Sequence, residues 1–220
     1  MKKMNVQEAQ LTPLTYPFLS SSILARSYLF IYEKNEYVIR TGTQLDFLFF
    51  VLAGKARIIN TEANGKNVIL QFIQAEDLIG DLYVVNAEKH TKDVVAIGQL
   101  HCLAIPLPIV KQHLINDPLF LTFISTYIGQ KLLKRMEHFS LAQTFELKYR
   151  LAELLITVAV DGYYSENNTQ IADYLGTSYR HLMHTFKKLR EQNYIKKQGR
   201  GYMIDEAKLI QLITAGSKLS

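Results

Sequence analysis

The sequence of 220 residues contains a single cysteine, Cys102. One thiol cannot form an internal disulfide or build a cysteine-rich zinc or iron–sulfur site, which argues against redox sensing by such clusters. No apolar run reaches membrane-spanning length, and polar and acidic residues close behind Met1 leave no secretory apolar segment. We therefore expect a cytoplasmic protein with no membrane partner.

The motifs of common enzyme classes are also missing. There is no phosphate-binding glycine loop and no nucleophile motif, and the histidines and acids are scattered. His181 and His184 are three residues apart and share a helix face, but no third metal ligand follows nearby. We predict no enzymatic activity, no cofactor and no metal site.

What the chain does have is a concentration of basic residues near its C-terminal end. Between Tyr179 and Gly201 there are seven basic residues and one acid, Glu191, although the whole chain has a net charge of only +5. A local patch of one sign suits a polyanionic partner. The pattern favours nucleic acid.

Residues 28 to 105 consist of short runs in which apolar and polar types alternate, such as YVIR and NVILQFI. Glycines and the pair Asn64-Gly65 separate these runs. Many short strands with turn signals and no helical pattern between them indicate an antiparallel sandwich or barrel. We predict an all-β domain here.

A long helix is predicted to begin at Asn116-Asp117-Pro118, because Asp caps helices well and Pro suits the first turn. Apolar residues then recur every three or four positions through about six turns. The stripe fits packing on the helix's own domain or a seam between two copies, and periodicity leaves both open. For the seam we expect a dimer interface of Leu121, Ile124, Ile128, Leu132 and Phe139, with Met136 in the same stripe.

The stretch IADYLGTSYRHLMHTFKKL, residues 171 to 189, has the features of a helix-turn-helix. We expect Asn168 or Thr169 to cap the first helix, Gly176 to supply a left-handed turn, and Ser178 to cap the second helix. The apolar positions of the second helix lie at i, i+4 and i+7, and they are Leu182, Phe186 and Leu189. We expect these three residues to face inward, so that the polar side chains project outward.

Two short β-prone pieces joined by GRG follow in KKQGRGYMI, residues 196 to 204. This pattern is typical of a hairpin, or wing, beside a helix-turn-helix. Together with the local charge, it predicts a winged helix that binds DNA.

At this point the chain resembles the Crp/Fnr family of bacterial transcription regulators. Its elements occur in order in YVIRTGTQLDFLFFVLAGKARI, AEDLIGDLYVV, the long helix and TQIADYLGTSYRHLMHTFKKLREQNYIKKQGRGYMI. The resemblance implies an α+β fold with three parts. These are an N-terminal cyclic-nucleotide-binding-like β jelly roll (1–115), a dimerisation helix (116–143) and a C-terminal winged helix-turn-helix (144–220).

The resemblance also implies roles for single residues on the second helix. Ser178 lies where the family contacts a phosphate, and Tyr179, Arg180 and His184 lie where it reads base edges. Arg180 can bond guanine O6 and N7 together. His184 departs from the family's usual arginine, so we expect a different preferred site. Further cations are placed to contact phosphates: Lys187, Lys188, Lys196 and Arg200.

The expected effector pocket is degenerate. Cyclic-AMP receptors of this family use a glutamate for the ribose and an Arg-Ser pair for the phosphate, and the matching residues here are Asp81, His90 and Thr91. Because the phosphate-binding arginine is missing, we expect no tight cyclic-nucleotide binding, unless Lys89 or Lys92 substitutes.

The residues that other sensing members of the family use to detect their signals are also missing from this sequence. A haem form needs axial ligands, and the available histidines are scattered along the chain. Cys102 lies in an alternating run and is expected to be a small buried hydrophobe. The candidate haem ligands are His90, His101 and His113. The sequence itself identifies no effector.

The sequence thus predicts a homodimeric transcription regulator that binds an inverted-repeat operator in double-stranded DNA without control by cyclic AMP. The loop YYSEN, residues 163 to 167, lies where some family members touch RNA polymerase, although its aromatic pair fits local packing equally well. The alternative function is a small-molecule-binding signalling module whose winged helix makes protein contacts only.

Overall fold

The structure is a computed structural model, and it describes residues 1–6 and 16–217. The chain divides into two compact units, Met1–Asn60 with Ile73–Lys134 and Thr61–Phe72 with Arg135–Ser220. The predicted division at residues 115 and 143 stays a prediction.

Among the residues that the structure describes, nine strands form the N-terminal part of the fold, with two four-residue helices between them, α1 (Ser21–Leu24) and α2 (Asp81–Val84). One sheet has the order β1-β2-β9-β4-β7 and the other has the order β3-β8-β5-β6. The strands are β1 (Lys2–Asn5), β2 (Tyr28–Tyr32), β3 (Tyr37–Ile39), β4 (Phe47–Ala53), β5 (Ala56–Thr61), β6 (Asn67–Ile73), β7 (Leu78–Ile79), β8 (Asp93–Ala96) and β9 (Leu100–Pro106). Strand β1 was not predicted; it lies at the sheet edge and pairs only with β2 among these strands.

The centre of the five-stranded sheet is buried on both faces, which explains why β4 reads FLFFVLA rather than alternating. Phe49 and Val51 join a core that also contains side chains of the other sheet, such as Val94. Leu48 and Phe50 join a second core on the opposite face, together with residues of four helical segments. These are α1, α2, α3 (Leu107–Ile109), which continues as a π-helical turn (Val110–Leu114), and the first turns of α4 (Pro118–Thr144).

Helix α4 begins as predicted, because the Leu119 N–H donates to Oδ1 of Asp117 at 2.8 Å. It carries two apolar stripes rather than one. Ile124, expected at a dimer interface, is fully buried in the core of its own chain, since it lies on the side of the helix that packs on the sheet. Ile128 is partly buried against the same core. The exposed stripe consists of Leu121, Leu132, Met136 and Phe139, with exposed fractions of 39%, 57%, 60% and 68%.

Up to residue 217, where the description ends, the C-terminal part contains four helices and a small sheet of order β10-β12-β11. Its elements are α5 (Leu147–Val158), β10 (Tyr163–Tyr164), α6 (Asn168–Tyr174), α7 (Tyr179–Glu191), β11 (Ile195–Gln198), β12 (Gly201–Ile204) and α8 (Glu206–Ser217). Gly201 is required where β12 meets β10, because a Cβ there would lie 2.1 Å from the Tyr164 carbonyl oxygen.

The predicted fold class is confirmed: an α+β chain with an N-terminal β jelly roll, a long central helix and a C-terminal winged helix-turn-helix. Over the described ranges, no helix combines the length and the apolar character that a bilayer crossing requires.

Candidate nucleic-acid interface

The turn between α6 and α7 forms largely as the sequence predicts. Gly176 has φ +62°, the left-handed conformation that ends the first helix. The predicted cap of α6 is corrected by one residue, because the side chain of Asn167 accepts from the N–H groups of Thr169 at 2.9 Å and Gln170 at 3.4 Å. Asn168 is the first residue of the helix instead.

Ser178 is the cap of α7, as predicted. Its Oγ accepts a hydrogen bond from the His181 N–H at 3.1 Å. The hydroxyl hydrogen is not used in that bond, so Ser178 still has a donor for an outside acceptor. The helix N-terminus adds positive potential at the same place.

The inward side of α7 is firmly packed. Leu182 is 0% exposed, and Phe186 and Leu189 are each 1% exposed. The Phe186 ring stacks on the Tyr202 ring of β12 at 4.8 Å between centroids, and it also contacts Tyr164 of β10 at 5.6 Å. This aromatic cluster fixes α7 relative to the β11-β12 hairpin, which is the predicted wing.

The outward side of α7 carries the predicted base-reading residues. Tyr179, Arg180 and His184 are exposed, and Lys188 lies one turn beyond His184 on the same side. Within residues 1–6 and 16–217, the side chains of Arg180, His184 and Lys188 make no hydrogen bond or ion pair. Extended polar side chains on one side of a rigid helix can reach the edges of base pairs in a major groove.

The remaining predicted phosphate contacts differ in their surroundings. Lys187 lies 3.7 Å from the carboxylate of Glu191, an exposed i,i+4 pair that contributes little and can exchange for a phosphate. Lys196 and Arg200 are exposed on the hairpin. Lys197, which was not predicted as a contact, holds its ammonium 4.5 Å from the Tyr202 ring centroid. This cation–π contact ties Lys197 to the aromatic ring of β12.

His181 has a local hydrogen-bond partner. Its Nδ1 lies 3.3 Å from Oγ1 of Thr177. Across the described ranges, no group of three or more His, Cys, Asp or Glu side chains is arranged to hold a metal ion.

Arg150 of α5 is a residue that the sequence analysis missed. Its Nη1 donates to the Leu175 carbonyl at 2.7 Å, and its Nε donates to the Phe145 carbonyl at 3.2 Å. Leu175 is the C-cap of α6, and Phe145 links α4 to α5. Partial burial lowers the pKa of this guanidinium below its ordinary value. The sequence gives no signal for the contact with Leu175, because that residue is 25 positions away along the chain.

The three residues of the expected effector pocket have unlike environments. Asp81 is 4% exposed and forms an ion pair with Lys131. The Thr91 hydroxyl lies 3.0 and 2.8 Å from the carbonyl oxygens of Arg40 and Thr43. His90 is exposed. The two buried side chains are thus already bonded within the chain.

The side chains considered as substitutes or other inputs are mostly engaged as well. Lys92 pairs with Glu88. Burial raises the pKa of the Cys102 thiol to about 12, so it stays protonated and unreactive near neutral pH. Two of the candidate haem ligands have polar partners: His101 lies 2.9 Å from Oε1 of Gln99, and His113 lies 3.2 Å from a guanidinium nitrogen of Arg26.

The aromatic pair of the loop considered for RNA polymerase packs locally. Tyr164 is 1% exposed and its hydroxyl donates to Oδ1 of Asn168 at 3.0 Å. The Tyr163 hydroxyl donates to the Gln198 carbonyl at 3.1 Å. Their rings therefore serve the wing rather than a free surface.

Comparison with known proteins matches both halves of the chain. Residues 29–117 match the family model of the cyclic nucleotide-binding domain, and residues 149–212 match that of the Crp-like helix-turn-helix domain. The regulatory protein YeiL of Escherichia coli O157:H7 is 30% identical over 188 residues, which cover 86% of either chain.

Two solved structures are similar along most of their length. A transcriptional regulator of the Crp/Fnr family from Eubacterium rectale has a TM-score of 0.69 at 14% identity, over 89% of this chain and 95% of that one. FixK2 from Bradyrhizobium japonicum has a TM-score of 0.63 at 18% identity, over 84% and 96%. At these identities the likeness concerns the fold, from the β domain to the winged helix.

Proposed function

Because the chain belongs to the Crp/Fnr family of transcription regulators, we propose that it acts as a homodimer on an inverted-repeat operator without control by cyclic AMP. In this proposal α7 enters the major groove of double-stranded DNA, and the wing follows the adjacent backbone. The observation that carries it is the outward row of Arg180, His184 and Lys188, exposed and unpaired in the described chain. The protein then works in the cytoplasm, where its DNA is.

The base-reading residues and the phosphate contacts have separate roles. The planar guanidinium of Arg180 suits the two acceptors of a guanine, and the shorter imidazole of His184 reads a neighbouring base edge. Tyr179 lies at the first turn beside them. The phosphate contacts position the helix without reading sequence: Ser178, Lys187, Lys188, Lys196 and Arg200.

The test is selection of bound DNA from a random pool, followed by salt titration. We expect an inverted repeat with half-site centres about 10 bp apart, which is one helical turn. Four cationic phosphate contacts per protomer give eight in a dimer, so log K should fall with log salt at a slope of about −7. A winged helix that makes protein contacts only would give no such slope, and this outcome would favour the alternative function.

The homodimer is supported by the exposed apolar stripe of α4. Four large apolar side chains in one row of a helix are costly to leave in water, and a second copy of the same row would bury them. Ile128 borders the row, and Ile124 is assigned to the core of the protomer. Because an inverted repeat presents two equal half-sites, such a dimer also matches the operator.

A matched pair of variants tests the seam. Phe139→Asp places a charge within the row and should yield monomers with weak operator binding. Leu119→Asp is the control, since Leu119 is 57% exposed but lies on the opposite side of the helix. Sedimentation equilibrium measures the assembly. A wild-type monomer that selects an asymmetric site would overturn the homodimer.

Independence from cyclic AMP is supported by the environments of the three pocket residues. No guanidinium stands at His90 to hold a phosphate, and the Thr91 hydroxyl is bonded to two carbonyls. Calorimetry should therefore detect no micromolar binding of cyclic AMP, and operator affinity should not change when it is added. Micromolar binding that tightens the DNA complex would mean that Lys89 or another group replaces the arginine.

A further inference from the structure

A buried ion pair joins the central helix to the β domain within the first unit. The Lys131 ammonium of α4 lies 3.1 Å from Oδ1 and 2.9 Å from Oδ2 of Asp81. The two side chains are only 9% and 5% exposed. Both carboxylate oxygens are therefore occupied by one internal cation.

A second contact lies one helical turn earlier. The Tyr127 hydroxyl donates to Oδ1 of Asp77 at 3.1 Å and accepts from the Leu78 N–H at 2.9 Å. Burial, together with the nearby Asp77 carboxylate, raises the pKa of Tyr127 far above its ordinary value, so the phenol keeps its proton. Two successive turns of α4 thus grip the segment from Asp77 to Asp81.

We propose that Lys131 is a built-in ligand, which supplies the charge that Asp81 requires and so holds α4 in the DNA-binding arrangement without an effector. A buried carboxylate needs a partner, because an unpaired charge in the interior is strongly unfavourable. Here that partner is covalently part of α4. The pair therefore fixes where α4 lies on the segment that follows β7.

The consequence for regulation follows from the same geometry. A neutral hydroxyl ligand would have to displace an ammonium from a buried carboxylate, and the exchange would leave Lys131 buried without a counter-ion. The position is thus closed to sugar-like ligands and open in principle to a competing organic cation. This inference rests on the proposed function, since it explains how the helix that carries the dimer seam is held in place.

The experiment removes the side chain and returns its charged end from solution. Lys131→Ala should bind the selected operator about 10-fold more weakly, within the usual range of coupling between sites. Propylammonium matches the atoms that this variant lacks, so millimolar propylammonium should restore operator affinity and raise the thermal midpoint of the variant measured without DNA. Propan-1-ol and equal sodium chloride are the controls, because they match the chain length and the ionic strength.

Two further variants separate positioning from plain stability. Asp81→Asn/Lys131→Met contains no buried charge, so it should recover the thermal midpoint but not the operator affinity or the response to propylammonium. The charge exchange Asp81→Lys/Lys131→Asp should recover part of the affinity. If Lys131→Ala does not fold, Lys131→Met and the double variant answer the same question.

The outcomes distinguish the two proposals. Operator affinity unchanged by Lys131→Ala or Lys131→Met, or a double variant that recovers stability and affinity together, overturns the built-in ligand. Failure of propylammonium to raise the thermal midpoint of Lys131→Ala overturns it too. A wild-type protein that selects no DNA overturns the proposed function, whereas the thermal response to propylammonium, which does not depend on DNA, still tests whether Asp81 requires the charge of Lys131.

Discussion

The polar side chains on the outward side of α7 differ from those at the buried effector positions of the β domain in whether they have partners within the chain. On α7, Arg180, His184 and Lys188 are exposed and have no partner in the described chain. In the β domain, Asp81 is paired with Lys131, and the Thr91 hydroxyl is bonded to two carbonyls. One surface is open to an external partner, whereas the two buried side chains of the other are already bonded within the chain.

This difference teaches how one fold separates reading from sensing. A DNA-reading surface must leave its donors unpaired, since phosphates and base edges supply the acceptors. A sensing pocket must leave polar groups unpaired for its ligand, and here the buried ones are not. The same chain therefore has the chemistry of a reader at one end and of a closed scaffold at the other.

The largest effect is expected from a variant that removes the packing on the inward side of α7, which holds the outward side in place. Phe186→Ala should lower the free energy of unfolding by about 3–5 kcal/mol, because the ring is 1% exposed and stacks on Tyr202. Tyr179→Ala is the control on the same helix, with a ring 53% exposed, and should change stability by about 0.5 kcal/mol or less. Urea unfolding followed by circular dichroism measures both. Equal losses would mean that the two sides of α7 are not distinct.

The next effect divides the open surface into readers and positioners. Arg180→Ala should cost about 1–3 kcal/mol at the selected operator and relax the preference at one base pair per half-site. Lys188→Ala should weaken operator and random DNA alike, and should make the salt slope shallower by about 2 because a dimer loses two phosphate contacts. Fluorescence anisotropy at several salt concentrations measures both. An equal loss for every sequence in Arg180→Ala would make Arg180 a phosphate contact.

Part of this division could be predicted from the sequence because it is local. The two faces of α7, the cap at Ser178 and the turn at Gly176 follow from helical spacing and turn chemistry within a few residues. The α6 cap was displaced by only one residue, since neighbouring asparagines offer the same side chain. Helical periodicity in the sequence is therefore sufficient to identify the outward side of α7.

Contacts between distant parts of the sequence could not be predicted in this way. Asp81 and Lys131 are 50 residues apart, and Arg150 and Leu175 are 25 residues apart, so only the tertiary fold brings them together. Ile124 belonged to the predicted stripe, but a helix with apolar residues on two sides gives one merged pattern in sequence. Which side meets the sheet depends on packing that spacing does not contain.

A smaller effect tests whether Ser178 has two roles. Ser178→Ala should destabilise the protein by about 1 kcal/mol through loss of the cap on α7. Ser178→Asp should keep the cap and the stability, because Asp is an equally good N-cap. It should nevertheless bind DNA at least as weakly as the alanine variant, since a carboxylate would face the phosphate. Thermal unfolding without DNA measures the cap, and operator titration measures the phosphate contact. Normal DNA binding by Ser178→Asp would contradict the assignment of Ser178 as a phosphate contact.

The smallest expected effect concerns the reactivity of the buried Cys102 thiol in the β domain and its contribution to stability at alkaline pH. Burial raises the pKa of Cys102 from 9.0 to about 12, so the folded protein disfavours the thiolate. The stability that comes from the protonated thiol is fully present below the unfolded pKa, and it is lost as pH rises towards 12. Native Cys102 should therefore resist alkylation at pH 8 and react quickly in urea, and Cys102→Ala should flatten the alkaline fall in stability. Fast labelling of the native protein would contradict its burial.

Strand β4, buried on both faces of its sheet, has a consequence for how the chain is made. Phe47–Ala53 is a seven-residue segment without a charge or a proline, and such segments associate readily while they are unpaired. Its main partner β9 is roughly 50 residues further along the chain. At a synthesis rate of about 5–20 residues per second, β4 waits several seconds at the ribosome for that partner. Nascent chains that stop between these strands should therefore depend on chaperones.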